Sequence, residues 1–178
     1  MAEEIVASVA KISDLRFIAL RYFNVAGAAP DLSRGLRSKQ ATHLVKVAAE
    51  AACGKRPDVQ IYGTDYETED GTCLRDYIHV SDLAEAHVLA LNALVKGHQG
   101  GVYNCGYGRG ASVREVLKIM KEVSGTNFPI QESPRRPGDP ARIVANADRL
   151  RKDLGWQPKY DSLPLICRSA FEWEKRLT

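Results

Sequence analysis

Residues 15–23 read LRFIALRYF, an apolar and aromatic run interrupted only by Arg16 and Arg21. Such a run suits a strand buried on both faces of a parallel sheet, where neighbouring elements cover either side. Asn24 follows it, and Gly27 and Pro30 then break regular structure. Upstream, residues 2–12 have helical spacing, with Ile5, Val6 and Val9 on one side and no Ser, Thr, Asp or Asn to open the helix. Downstream, a helix is expected over 38–53, with Leu44, Val47, Ala48 and Ala51 sharing a face and Gly54 ending it. A short strand, VQIY, spans 59–62. Residues 73–80, CLRDYIHV, alternate: Leu74, Ile78 and Val80 face one way, Arg75, Tyr77 and His79 the other. Asp76 interrupts the apolar side, which predicts a short or edge strand.

Ser81 or Asp82 is expected to cap a helix over 83–95, and 101–105 reads as a strand. Ser112 and Glu115 form a capping box for a helix through Val123, with Val113, Val116, Leu117 and Met120 as its apolar stripe. Residues 129–140 form a Pro- and Arg-rich loop. Asn146 opens a short helix ended by Gly155. Ser162 opens the last one, with Leu163, Ile166, Ala170, Trp173 and Leu177 inward. The alternation of strands and helices gives an α/β fold. The chain supplies few strands to flank 15–23, so its elements read as part of a larger sheet.

Composition excludes several classes. The 178 residues are 44% hydrophobic, enough for a core, and no apolar run reaches the roughly 20 residues a membrane span needs. A net charge of +3, with no basic stripe interleaved with aromatics, argues against nucleic-acid or membrane partners. Cys53, Cys73, Cys105 and Cys167 form no CxxC pair, so no zinc site is expected and reduced thiols in a cytoplasmic protein are. The acidic start, Met1 to Glu4, is unlike a secretory signal.

The chemistry-bearing candidates are few. Gly106, Gly108 and Gly110 follow a strand, but their spacing departs from a dinucleotide turn, and a plain strand-to-helix connection is the competing reading. Arg75 and the Arg135–Arg136 pair could grip a diphosphate from two sides through their planar forks. Pattern alone favours solvated surface arginines, one capping a helix and one paired to Asp139. Asn24 stands where open α/β sheets bind ligands, or it is an ordinary turn residue. Tyr62 and Tyr77 could stack a base or simply pack. His43, His79 and His87 show no metal-ligand geometry.

Five strings in order nevertheless resemble one family: LRYFNVAGA at 20–28, YGTDYETEDGTCLRDYIHVSDLAEAH at 62–87, YNCGYGRGASVREV at 103–116, RRPGDPARIVAN at 135–146 and LGWQPKY at 154–160. Together they look like the NAD-dependent nucleotide-sugar epimerases of the extended short-chain dehydrogenase/reductases, the UDP-glucose 4-epimerase family. The 62–87 string is the most specific; the RRPGD loop is shared with decarboxylases and dehydratases, which stay open, as does a non-catalytic nucleotide-sugar-binding module.

The resemblance implies remnant Rossmann strands and helices plus a small α/β substrate-binding domain. Residues 1–178 would be the carboxyl-terminal portion. The NAD-binding half, with its GxxGxxG turn, catalytic Ser or Thr and Tyr-x-x-x-Lys pair, matches nothing here and is expected upstream. No catalytic residue is therefore expected within this chain. Phe23 would lie near the nicotinamide of NAD. Asn24 would bond the diphosphate or sugar. His43 and Leu44 would touch the nucleotide, and Gln60, Ile61 and Tyr62 would line the uracil pocket. Arg75 would hold the diphosphate, Arg136 and Asp139 the phosphate and ribose, with Tyr77 a neighbour and Ile143 beside the sugar. The implied substrates are UDP-glucose and UDP-galactose, inverted at C4 by hydride transfer to and from NAD through a 4-keto sugar. A homodimer is implied for the complete enzyme, and inactivity for this chain by itself.

Overall fold

The computed structural model describes residues 1–38 and 40–177. In chain order the elements are α1 (Ala2–Lys11), β1 (Ile18–Arg21), β2 (Asn24–Ala26), α2 (Leu44–Ala52), β3 (Val59–Tyr62), β4 (Leu74–Arg75), β5 (Tyr77–His79), α3 (Val80–Val95), β6 (Gly101–Asn104), β7 (Ala111–Ser112), α4 (Val113–Ser124), β8 (Ile130–Ser133), β9 (Arg142–Ile143), α5 (Asp148–Leu154) and α6 (Leu163–Arg176). The strands join as parallel pairs, β1 with β6, β2 with β5 and β3 with β8; a three-stranded sheet runs β7-β4-β9. The expected α/β class is what forms.

The 15–23 run forms a strand only over Ile18–Arg21. β1 pairs with β6 from Ile18↔Gly101 to Arg21↔Asn104, and the chain then steps sideways at Tyr22 and Phe23 so that β2 pairs with β5, Asn24↔Tyr77. A single straight strand cannot serve both partners. β1 is also only half-buried, because among the described residues one edge has no strand beside it. The 73–80 stretch divides in the same way at Asp76: β4 lies at the centre of its sheet, not at an edge, while β5 turns to β2.

Asp76 is the reason for that division. Its buried carboxylate accepts the N–H groups of Tyr107 (3.1 Å), Gly108 (3.0 Å) and Ala145 (3.2 Å), tying two loops to one point. A carboxylate holding three N–H donors satisfies groups that burial would otherwise leave costly. At Gly106 a Cβ would fall 2.6 Å from the Asp76 Oδ2, so only glycine fits the turn.

Other boundaries shift for identifiable reasons. α2 begins at Leu44 and not at 38, with His43 as N-cap; the apolar stripe starts only there, and the Ala41 carbonyl is engaged by Arg56 (3.2 Å). The earlier part of that expected helix includes residue 39, outside the described residues. His79, neither Ser81 nor Asp82, caps α3, accepting the Ser81 N–H on Nδ1 (3.1 Å). Asp82 instead accepts from the Tyr107 hydroxyl (2.6 Å) and the N–H groups of Lys159 and Tyr160. The loop 129–140 contains β8, flanked by Pro129 and Pro134; its single apolar residue, Ile130, carries no alternation to read. The capping box of Ser112 and Glu115 forms as expected.

The core lies where α2, α4 and α6 meet, with Ala48 and Ala49 letting the helices approach and Val116, Leu117, Met120, Ile166 and Phe171 filling the space. No helix among the described residues is long and apolar enough to cross a membrane.

Candidate functional site

Two cavities meet beside the β2–β5 pair. The first, about 550 Å³, is bounded by the start of β2, by β3, by Arg75 of β4, by the turn into α2 and by the loop after β8. The register Asn24↔Tyr77 sets those two side chains together on its wall. Alternation along β3 sends Gln60 and Tyr62 toward the cavity and Val59 and Ile61 toward the core. The Tyr62 hydroxyl donates to the Gln60 Oε1 (2.7 Å), so the two present one joined polar edge.

Charge converges there. Arg75 is buried, donates Nη1–H to the Leu74 carbonyl (2.7 Å) and pairs through Nη2 with Asp139. A buried guanidinium needs such a partner. The Arg136 guanidinium carbon lies over the Tyr62 ring, 3.8 Å from its centroid, which holds the fork by cation–π attraction. A turn fixes Arg136 relative to Asp139: the Asp139 N–H donates to the Arg136 carbonyl (3.2 Å), with Gly138 at φ +76°. Arg135 turns away, to Asp65 (2.6 Å) and the ring of Tyr66. Three arginines (56, 75 and 136) and two aspartates (58 and 139) line this cavity, and α2 begins at it with an N-cap that makes no side-chain bond. An uncapped helix start beside arginine forks favours an anion. Burial pushes the Tyr77 phenol well above its ordinary range, so it stays protonated and can donate.

The second cavity, about 580 Å³, is mainly apolar, walled by Val25, Ala26, Leu36, Val45, Ala84 and Trp173, and shares Asn24, His43, Leu44 and Tyr77 with the first.

Residues 1–106 match the family model described as NAD dependent epimerase/dehydratase family. The chain belongs to that family. It is 55% identical over 177 residues to the UDP-glucose 4-epimerase of Azospirillum brasilense, covering 99% of this chain and 51% of that protein. The fold matches the UDP-glucose 4-epimerase of Brucella ovis in complex with NAD (TM-score 0.93, 41% identity, 98% of this chain and 54% of that one). It also matches the UDP-glucose 4-epimerase of Bifidobacterium longum in complex with NAD+ and UDP (TM-score 0.90, 36% identity, 98% and 52%). This epimerase/dehydratase chain thus spans about half the length of the curated relatives it matches.

Nine of the expected substrate-binding residues, Asn24, His43, Leu44, Gln60, Tyr62, Arg75, Tyr77, Arg136 and Asp139, come together on the first cavity of this family member. Three expected site residues do not line it. Ile61 is fully buried on the opposite face of β3, as strand alternation requires. Ile143 pairs in register with Arg75 from the neighbouring strand β9. Phe23 sits in the step between β1 and β2, 40% exposed. The expected link between an arginine and Asp139 is made by Arg75, not by its loop neighbour Arg136. The sequence reading missed Arg56 and Asp58, although they stand just before the strand read at 59–62.

The described residues offer only part of a dinucleotide site. The glycine turn at 106–110 spends the N–H groups of Tyr107 and Gly108 on Asp76, so it cannot cradle a phosphate. Phe23 provides a partly exposed aromatic side chain beside Asn24.

Proposed function

We propose that this chain is the nucleotide-sugar-holding portion of an NAD-dependent UDP-glucose/UDP-galactose 4-epimerase. The carrying observation is the convergence of Arg75, Arg136, Asn24, Tyr77 and the Gln60–Tyr62 edge on one cavity of about 550 Å³, a size suited to a small-molecule ligand. In this reading the uracil lies at Gln60 and Tyr62, and the diphosphate lies between Arg75 and Arg136. Asp139 steadies Arg75 and reaches the ribose. His43 and Leu44 close one side. Asn24 and Tyr77 donate where the diphosphate gives way to the sugar, and Ile143 supports the wall nearest the sugar. Ile61 anchors β3 from the core side.

NAD, when bound to the complete enzyme, accepts and returns the C4 hydride; Phe23 would back its nicotinamide. Residues 1–178 act here as a substrate-binding portion, and the base and the remaining cofactor contacts belong to residues this chain does not carry. Firm binding of the nucleotide, remote from C4, uses binding energy to position the reacting sugar. The complete enzyme is proposed to be a cytoplasmic homodimer, and this chain by itself inactive.

Calorimetric titration of the 178-residue chain with UDP-glucose, beside Arg75→Ala and Arg136→Ala, tests the reading. Saturable binding that falls in both variants is expected. A folded, monodisperse chain with no affinity for UDP-glucose overturns it.

A further inference from the structure

Resting on that reading, we infer that Arg56 is a positioning residue of the nucleotide cavity, acting through the backbone of residues 41–44. Arg56 stands just ahead of β3 and reaches back across the cavity mouth. Its Nε–H bonds the carboxylate of Glu50, and its Nη2–H donates to the Ala41 carbonyl (3.2 Å). Segment 41–43 has no regular structure, and His43, the N-cap of α2, makes no side-chain capping bond. The Arg56 bond to Ala41 is, among the described residues, a long-range tie that sets where Thr42, His43 and Leu44 meet the cavity.

The tie is stiff because its other end is. Glu50 is buried and also receives Lys46 (3.2 Å); Lys46 bonds Glu174 of α6, which receives Lys55 as well (2.9 Å). The planar guanidinium serves its two acceptors from a rigid fork, whereas an ammonium's three donors rotate on a flexible stem. Arg56 thus transmits the placement of a buried charge network spanning α2 and α6 to a strip of cavity wall without regular structure. A misplacement of that strip weakens every ligand contact it makes.

The test compares UDP and uridine affinities of the wild-type 178-residue chain, Arg56→Met and Arg56→Lys by calorimetry, with amide hydrogen exchange at residues 44–47. Arg56→Met is expected to weaken both ligands by a similar factor, about tenfold, and to speed exchange locally. Arg56→Lys should fall between it and wild type, about threefold weaker. If Arg56 instead touched the diphosphate, only UDP would weaken, and the inference fails. It also fails if Arg56→Met binds as wild type. Should Arg56→Met not fold, Arg56→Lys decides: unchanged affinity and exchange overturn the inference, and the threefold loss with local exchange supports it. Arg136→Ala separates the two readings. Undiminished UDP affinity there sinks the nucleotide assignment, whereas loss there with wild-type behaviour of Arg56→Met sinks only the role of Arg56.

Discussion

The side of the molecule built from α2, α4 and α6 and the flank built from α1, α3 and β1 follow the same sequence rules and end differently. Both have helices with an apolar stripe. On the first side the stripes meet: Leu117, Met120, Ile166 and Cys167 are buried, and burial pushes the Cys167 thiol up to about 12. On the flank they meet little. α1 buries no residue, Ile12 is 88% exposed, and Val88, Leu91 and Val95 run along α3 at 52%, 62% and 76%. Amphipathic spacing therefore states that a face should be covered; it does not say by what. The cavity belongs to the covered side and to the seam, where Asn24 and Tyr77 are set by strand pairing.

The contrast can be broken most forcefully at Asp76. Asp76→Ala strands the buried N–H groups of Tyr107 and Ala145, with that of the more exposed Gly108, and is expected to cost about 3–5 kcal/mol, read as a fall in the urea midpoint. A loss under about 1 kcal/mol would show that the loops around it hold without it. On the covered side, Leu117→Ala should cost about 2–5 kcal/mol in the same assay.

A pH series sharpens the seam. His79 is buried, stacked on Tyr160 at 4.7 Å, and its Nε2 lies 3.3 Å from the Ser169 hydroxyl. Burial lowers its pKa, the nearby Asp82 opposing. A histidine whose folded pKa lies below its unfolded value contributes stability above the unfolded value, about 6.5, and that stability is lost as pH falls toward the folded one. The unfolding free energy should drop between pH 7 and pH 5 by no more than about 1.4 kcal/mol per unit from this group, and His79→Gln should remove that part of the slope. An unchanged slope in His79→Gln contradicts the assignment.

The smallest effect is expected on the flank. Leu91→Ser should alter stability by less than about 0.5 kcal/mol while lowering self-association in sedimentation. A large destabilisation would mean that this stripe is covered after all.

Much of the fold was legible because periodicity reports local burial. The capping box at Ser112, the strand at 59–62 and the alternation through Arg75 and Tyr77 all rest on residues a few positions apart. What escaped depends on distant partners. β8 exists because β3 pairs with it, and the break between β1 and β2 exists because β6 and β5 lie in different places. Asp76 looked like a flaw in a strand until Tyr107, Gly108 and Ala145 were found on it. The site was legible mainly through the resemblance of its strings to a family, since isolated arginines carry no signal of convergence. Arg56 was missed because its role lies in a carbonyl fifteen residues earlier.

The most direct measurement is a crystal structure of the 178-residue chain grown with UDP. The account predicts the base against Gln60 and Tyr62, with the diphosphate within hydrogen-bond reach of Arg75 and Arg136. A nucleotide bound elsewhere, or an empty cavity at saturating UDP, would contradict it.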